Sequence, residues 1–152
     1  MEEPGKIKLT IPCRLDHVHL AGHAIKGVLA ETIKDSELVF LIELAVCEAV
    51  SNSMQHAHGC NADCNVEVSI FLCNSELVIE VTDTGAPFNA DLLKNKQCHD
   101  PEDATCEKAA EGGRGIFLIC RAMDEVKYKS FADRNILTMR KTIKPTDRDG
   151  EP

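Results

Sequence analysis

The sequence predicts an α+β fold, a two-layer α/β sandwich in which a mixed, mainly antiparallel sheet carries helices on one face. Three observations lead there. Strand-like alternation of apolar and polar residues comes in neighbouring pairs joined by short turns, at 65–73 with 76–82 and at 126–131 with 135–143. Helical spacing comes in two consecutive stretches ahead of the first pair, within 14–33 and from 35 to about 58. The resulting order is strand, two helices, hairpin, long polar segment, helix, hairpin. It lacks the strict strand–helix alternation of a parallel sheet, and runs of adjacent strands favour helices gathered on one side.

Each element has its own signal. Ile7, Leu9 and Ile11 alternate with Lys6, Lys8 and Thr10, which reads as a first strand over 6–13 with one face buried. Val18, Ala21, Ile25, Val28, Leu29 and Ile33 keep helical spacing. Asp35 and Ser36 are cap residues for the second helix, which ends near His58 and Gly59, where glycine suits a left-handed cap. Asn74 and Ser75 turn the first hairpin, and Asp83-Thr84-Gly85-Ala86-Pro87 ends its second strand sharply. The segment 88–111 is polar, and a stretch this long within a domain is usually a lid or a disordered loop. Gly112-Gly113-Arg114-Gly115 then leads into an apolar helix from Ile116 to about Met123, followed by the last hairpin across Ala132-Asp133-Arg134. The expectation is a single domain with its core at about 6–143 and a polar, frayed tail at 144–152.

Composition narrows the function. The chain has 152 residues, 43% of them hydrophobic, ordinary for a globular protein. A net charge of −8 argues against direct nucleic-acid binding, which needs a basic surface. No apolar run approaches the ~20 residues of a membrane span, so no membrane partner is expected. An acidic N-terminus without an apolar signal core makes the cytoplasm the expected compartment. Eight cysteines raise a zinc reading, for Cys60 with Cys64 or for Cys98, His99 and Cys106, yet no C-x-x-C pair occurs. Buried or incidental thiols are the favoured reading, with Cys47, Cys73 and Cys120 acting as small hydrophobes inside apolar elements.

Three constellations carry chemistry. Glu48 and Asn52 stand four residues apart on the second helix and therefore on one face. On spacing alone they read best as a hydrogen-bonded pair. The functional alternative is that Asn52 offers an oxygen to Mg²⁺ while Glu48 acts as a base. Asp83 and Gly85 read either as plain turn chemistry or as an acceptor for the amino group of a planar base, with Gly85 letting that base approach the backbone. The glycines at 112, 113 and 115 read either as a hinge or as a helix start whose exposed amides hold phosphates, and the pattern is not a Walker loop.

In this order, with a lid between the second and third, E-x-x-x-N, D-x-G-x-P and a helix-opening glycine cluster resemble the GHKL (Bergerat-fold) ATPases. Within that superfamily, Glu48-Ala49-Val50-Ser51-Asn52, the run Gly112 to Ile119 and Met123-Asp124-Glu125-Val126 look most like the bacterial anti-sigma serine kinases. The resemblance spans about 7–143 and implies a histidine-kinase-like ATPase domain with ATP and Mg²⁺ as cofactors. It implies Glu48 as catalytic base, Asn52 as metal ligand, and Asp83 with Gly85 at the adenine. Gly112, Gly113, Arg114 and Gly115 would cradle the phosphates. It further implies a protein-serine kinase that phosphorylates an anti-sigma-factor antagonist and sequesters a sigma factor, typically as a homodimer. A family threonine near the adenine has no counterpart in the expected register: Asn135 and Ile136 fall there, and Thr138 lies beyond. About six residues precede the first strand, which speaks against the upstream phosphoacceptor helices of a histidine kinase, and no gyrase-type transducer domain is visible. Two rival readings are a non-catalytic, nucleotide-gated binding module and a switch kinase acting on another scaffold protein.

Overall fold

Alternation builds the sheet. The computed structural model describes residues 5–57, 63–87, 113–145 and 147. In it β1 (Gly5–Pro12), β2 (Asn65–Cys73), β3 (Glu76–Asp83), β4 (Glu125–Ser130) and β5 (Asn135–Thr142) form a five-stranded sheet in the order β1-β2-β3-β5-β4. All four pairings are antiparallel, so the expected mixed sheet is antiparallel throughout among the described residues. Along β3 every second residue (Leu77, Ile79, Val81 and Asp83) is buried, and Val66, Val68 and Ile70 of β2 match them. The period of two thus gives the sheet one apolar face.

That face is covered by α1 (Val18–Ala30), α2 (Ser36–Asn52) and α3 (Gly113–Ala122), the first preceded by a single 3₁₀ turn, Leu15–His17. Ile25 and Leu29 of α1, Ile42, Val46 and Val50 of α2, and Ile119 of α3 join Val68, Ile79 and Met139 in one core. Each such side chain contributes about 1.5–3 kcal/mol by leaving water. Asp35 caps α2 as expected, its carboxylate accepting the N–H groups of Glu37 (3.0 Å) and Leu38 (3.1 Å). Asn74 turns the first hairpin at a positive φ of 50°, a conformation asparagine tolerates.

Three boundaries differ from expectation. The second helix stops at Asn52 and continues as a π-helical turn, Ser53–Ala57, while the expected end at His58 and Gly59 lies outside the described residues. α3 begins at Gly113, three residues before Ile116, because glycines contribute nothing to an apolar pattern although their backbone is helical. The start of the tail is not frayed. The Asp147 carbonyl accepts the N–H groups of Lys34 (2.6 Å) and Asp35 (3.2 Å), which ties it to the start of α2. The expected lid at 88–111 lies outside the described residues.

Candidate functional site

α2 supplies the first two side chains. Its buried stripe is Ile42, Ala45, Val46, Ala49 and Val50, and Glu48 and Asn52 flank that stripe half-buried, one turn apart. Opposite them stands the first turn of α3. A Cβ placed on buried Gly115 would lie 2.5 Å from Oε2 of Glu48 and 3.4 Å from Nδ2 of Asn52. Only glycine permits that approach, because no Cβ fits so close to a carboxylate oxygen. The first N–H groups of any α-helix have no acceptor within the helix. The start of α3 therefore offers donors, and the positive end of its dipole, beside an acid and an amide.

The other wall is built on Asp83, the last residue of β3. Beyond Asn52, the π turn puts Ser53 against this strand, and the Ser53 hydroxyl donates to Oδ2 of Asp83 at 2.6 Å. Oδ1 accepts two further donors, Nδ2 of Asn135 at 2.8 Å and the N–H of Gly85 at 3.1 Å. Asn135 also donates to the Gly85 carbonyl at 3.0 Å, and its Oδ1 accepts the Ser130 hydroxyl at 2.7 Å. Asp83 is 7% exposed and Asn135 2%. Among the described residues this buried carboxylate is held by charge-assisted hydrogen bonds and by no ion pair. Three donors orient it and leave lone-pair capacity, since a carboxylate accepts about four.

The structure thus brings Glu48, Asn52 and Gly115 into contact, and Ser53 joins them to Asp83 and Gly85. Gly113 and Arg114 form the first turn of α3, while Gly112 lies outside the described residues. Ser53 and Ser130 are members that sequence reasoning missed, and Asn135, expected at the adenine end of the last strand, was given no role. A signal existed for Asn135: it falls on the inward register of β5, opposite Asp83, where Met139 is fully buried, and an amide at such a position needs partners. Thr138 pairs with Glu80, so it projects from the sheet face opposite to Asp83. Half-buried Cys47 packs between α1 and α2. Burial, then the carboxylates of Glu43 and Glu48, push its thiol above the ordinary value. The zinc candidates Cys60, Cys98, His99 and Cys106 lie outside the described residues, among which no group of three or more His, Cys, Asp or Glu is placed to hold a metal.

Residues 11–141 match the histidine kinase-like ATPase domain family. The serine-protein kinase RsbW of Listeria monocytogenes is 32% identical over 124 residues, covering 80% of this chain and 78% of that protein. The serine-protein kinase RsbW of Oceanobacillus iheyensis is 27% identical, again over 124 residues, covering 82% and 78%. A chain in the crystal structure of the SiaB–SiaC complex from Pseudomonas aeruginosa superposes with a TM-score of 0.62 over 88% of both chains. At 16% identity that likeness is one of fold. With the family match spanning most of the chain, and an antiparallel sheet presenting Asp83 toward the helix that carries Glu48 and Asn52, this protein belongs to the histidine kinase-like ATPase family.

Proposed function

We propose that the protein is an ATP- and Mg²⁺-dependent protein-serine kinase that phosphorylates an anti-sigma-factor antagonist and sequesters a sigma factor, working as a homodimer in the cytoplasm. The observation that carries this reading is the close approach at Gly115, where the start of α3 meets Glu48 and Asn52. Relatives named serine-protein kinase support the reaction class.

The residues suit the task. Asp83, oriented by Ser53, Asn135 and Gly85, accepts the amino group of adenine on its remaining lone pair. The amides opening α3 bind phosphate oxygens. An amide oxygen on Asn52 and a carboxylate on Glu48 are the hard oxygen donors that Mg²⁺ prefers, and the missing Cβ at Gly115 lets α3 come close to both. Asn52 would hold the ion, which when bound supplies charge neutralisation for the transferred phosphoryl group. Glu48 accepts the proton of the attacking serine hydroxyl, and a positioned base contributes typically ~10²–10⁴-fold.

Incubation with γ-labelled ATP and candidate antagonist domains tests the reading. Label is expected on a serine of the partner. Glu48→Ala should remove transfer and leave nucleotide affinity within about threefold of the parent. Equal losses in transfer and binding would make Glu48 a structural residue. Nucleotide binding with no label on any partner would leave a nucleotide-gated binding module instead of a kinase.

A further inference from the structure

We propose that Cys13 and Cys64 are a redox pair: they close a reversible disulfide under peroxide, and closure weakens nucleotide binding. The second half rests on the reading of Asp83 as the adenine acceptor.

The β1–β2 ladder runs without a break from Gly5 opposite Leu72 to Pro12 opposite Asn65. One step further, the Cys13 N–H donates to the Cys64 carbonyl at 2.9 Å, so the two cysteines are the next facing pair. Facing residues of an antiparallel ladder project from the same side of the sheet. Alternation makes this the core side, two residues beyond the buried pair Ile11 and Val66. Cys13 is fully buried, and Cys64 packs half-buried against the same core. Both are thiols. The bond from the Cys13 N–H to the Cys64 carbonyl makes them a hydrogen-bonded pair, the wider kind, with Cβ atoms near the top of the roughly 4.5–5.5 Å range, whereas a disulfide wants roughly 3.5–4.5 Å. Closing the bond therefore draws the strand ends together by about an ångström.

The chemistry needs a hydroperoxide as oxidant. The Cys64 thiolate, the more accessible of the two, attacks the peroxide O–O bond, becomes the sulfenic acid and releases hydroxide. Cys13 then attacks that sulfur as a thiolate, the S–O bond breaks, and hydroxide leaves. In sum two thiols and one hydrogen peroxide give one disulfide and two waters. A dithiol reductant reverses the step by thiol–disulfide exchange.

The consequence follows from what Cys13 touches. Its Sγ donates to the Met54 carbonyl at 3.8 Å. Met54 is fully buried in the π turn, next to Ser53, whose hydroxyl holds Asp83. A disulfide sulfur has no proton to donate, so the buried Met54 carbonyl loses this donor just as the strand ends tighten. Both changes act on the turn that carries Ser53, and any shift of that turn lengthens the 2.6 Å bond from Ser53 to Asp83. Linkage makes the effect mutual: bound nucleotide opposes closure as strongly as closure opposes nucleotide.

The test uses the full chain. Reduced protein is exposed to hydrogen peroxide, residual thiols are alkylated, and linked peptides are mapped by mass spectrometry. The same samples are titrated with ADP. Expected are a Cys13–Cys64 peptide and roughly tenfold weaker nucleotide binding, in keeping with one lost charge-assisted hydrogen bond, both reversed by dithiothreitol. Cys64→Ser should keep its affinity through peroxide. Cross-links carried by other cysteines, such as exposed Cys73, with none between 13 and 64, would overturn the pair. A mapped Cys13–Cys64 bond with unchanged affinity would overturn the coupling. Asp83→Asn separates the underlying reading: if reduced protein with that change binds ADP as before, the adenine assignment has failed, whatever the peptide map shows.

Discussion

Substituting Gly115 with alanine separates chemistry from stability. The new Cβ would lie 2.5 Å from Oε2 of Glu48, where ordinary contact begins near 3.4 Å, so the carboxylate must retreat by about an ångström. The obstacle is the far end of a flexible side chain, and the retreat costs about 0.5–1.5 kcal/mol as a displaced rotamer. Alanine in place of helical glycine returns up to about 1 kcal/mol. The two nearly cancel, and Tm should stay within about 3 °C of the parent. Catalysis has no such compensation. A reacting group misplaced by ~1 Å can lose ~10²-fold in rate, so single-turnover phosphoryl transfer should fall by about two orders of magnitude. Nucleotide affinity should fall far less, because Asn52 Nδ2 stands at 3.4 Å from the same Cβ and is only brushed. A Gly115→Ala protein that melts normally and transfers phosphate at the parental rate would refute the placement of Glu48 as base.

Two other glycines give a contrast. A Cβ on Gly22 meets Sγ of Cys47 at 2.5 Å between two packed helices, so Gly22→Ala should cost ~1–3 kcal/mol, roughly 2–10 °C in a melt, with nucleotide affinity retained in the folded protein. Gly27 faces open space on α1, and Gly27→Ala should stabilise by about 0.5–1 kcal/mol in urea unfolding. Asn135→Ala strips donors from Asp83 and from the Gly85 carbonyl; a stability loss of about 2 kcal/mol and at least roughly tenfold weaker nucleotide binding are expected by calorimetry. For Asp124, burial opposes ionisation, but the Thr142 N–H at 2.7 Å and the Lys141 ammonium outweigh it and hold its carboxyl below the usual range. A depressed folded value means the stabilisation is complete above about pH 4 and vanishes as pH falls through that depressed value. Asp124→Asn should therefore lower stability by about 1 kcal/mol at pH 7, after solvent screening, and the difference from the parent should shrink in thermal melts as the carboxyl is protonated in acid.

Much of the fold was legible because its causes are local. Alternation in β2 and β3, helical spacing in α1 and α2, and the Asp35 cap each depend on residues within a few positions of one another. Glu48, Asn52, Asp83 and the glycine cluster were legible as motifs for the same reason. Spacing alone, however, favoured a plain Glu48–Asn52 pair, and it was their order with the other two motifs that pointed to a nucleotide. Where pattern faltered, the cause was again physical. Glycine carries no hydrophobic signal, so the apolar pattern began only at Ile116 although the described backbone is helical from Gly113, and the role of Asn135 was not visible until its register against Asp83 was known.

By itself, then, the sequence determined element types and their order, since short-range periodicity and capping are written in neighbouring residues, and the order of its motifs suggested the proposed nucleotide site. Only the tertiary structure decided which side chains meet. Ser53 reaches Asp83 across 30 residues, Asn135 reaches it across 52, and Gly115 closes on Glu48 from another helix. Strand register and helix packing choose those partners, because a buried carboxylate must find donors wherever the completed fold supplies them.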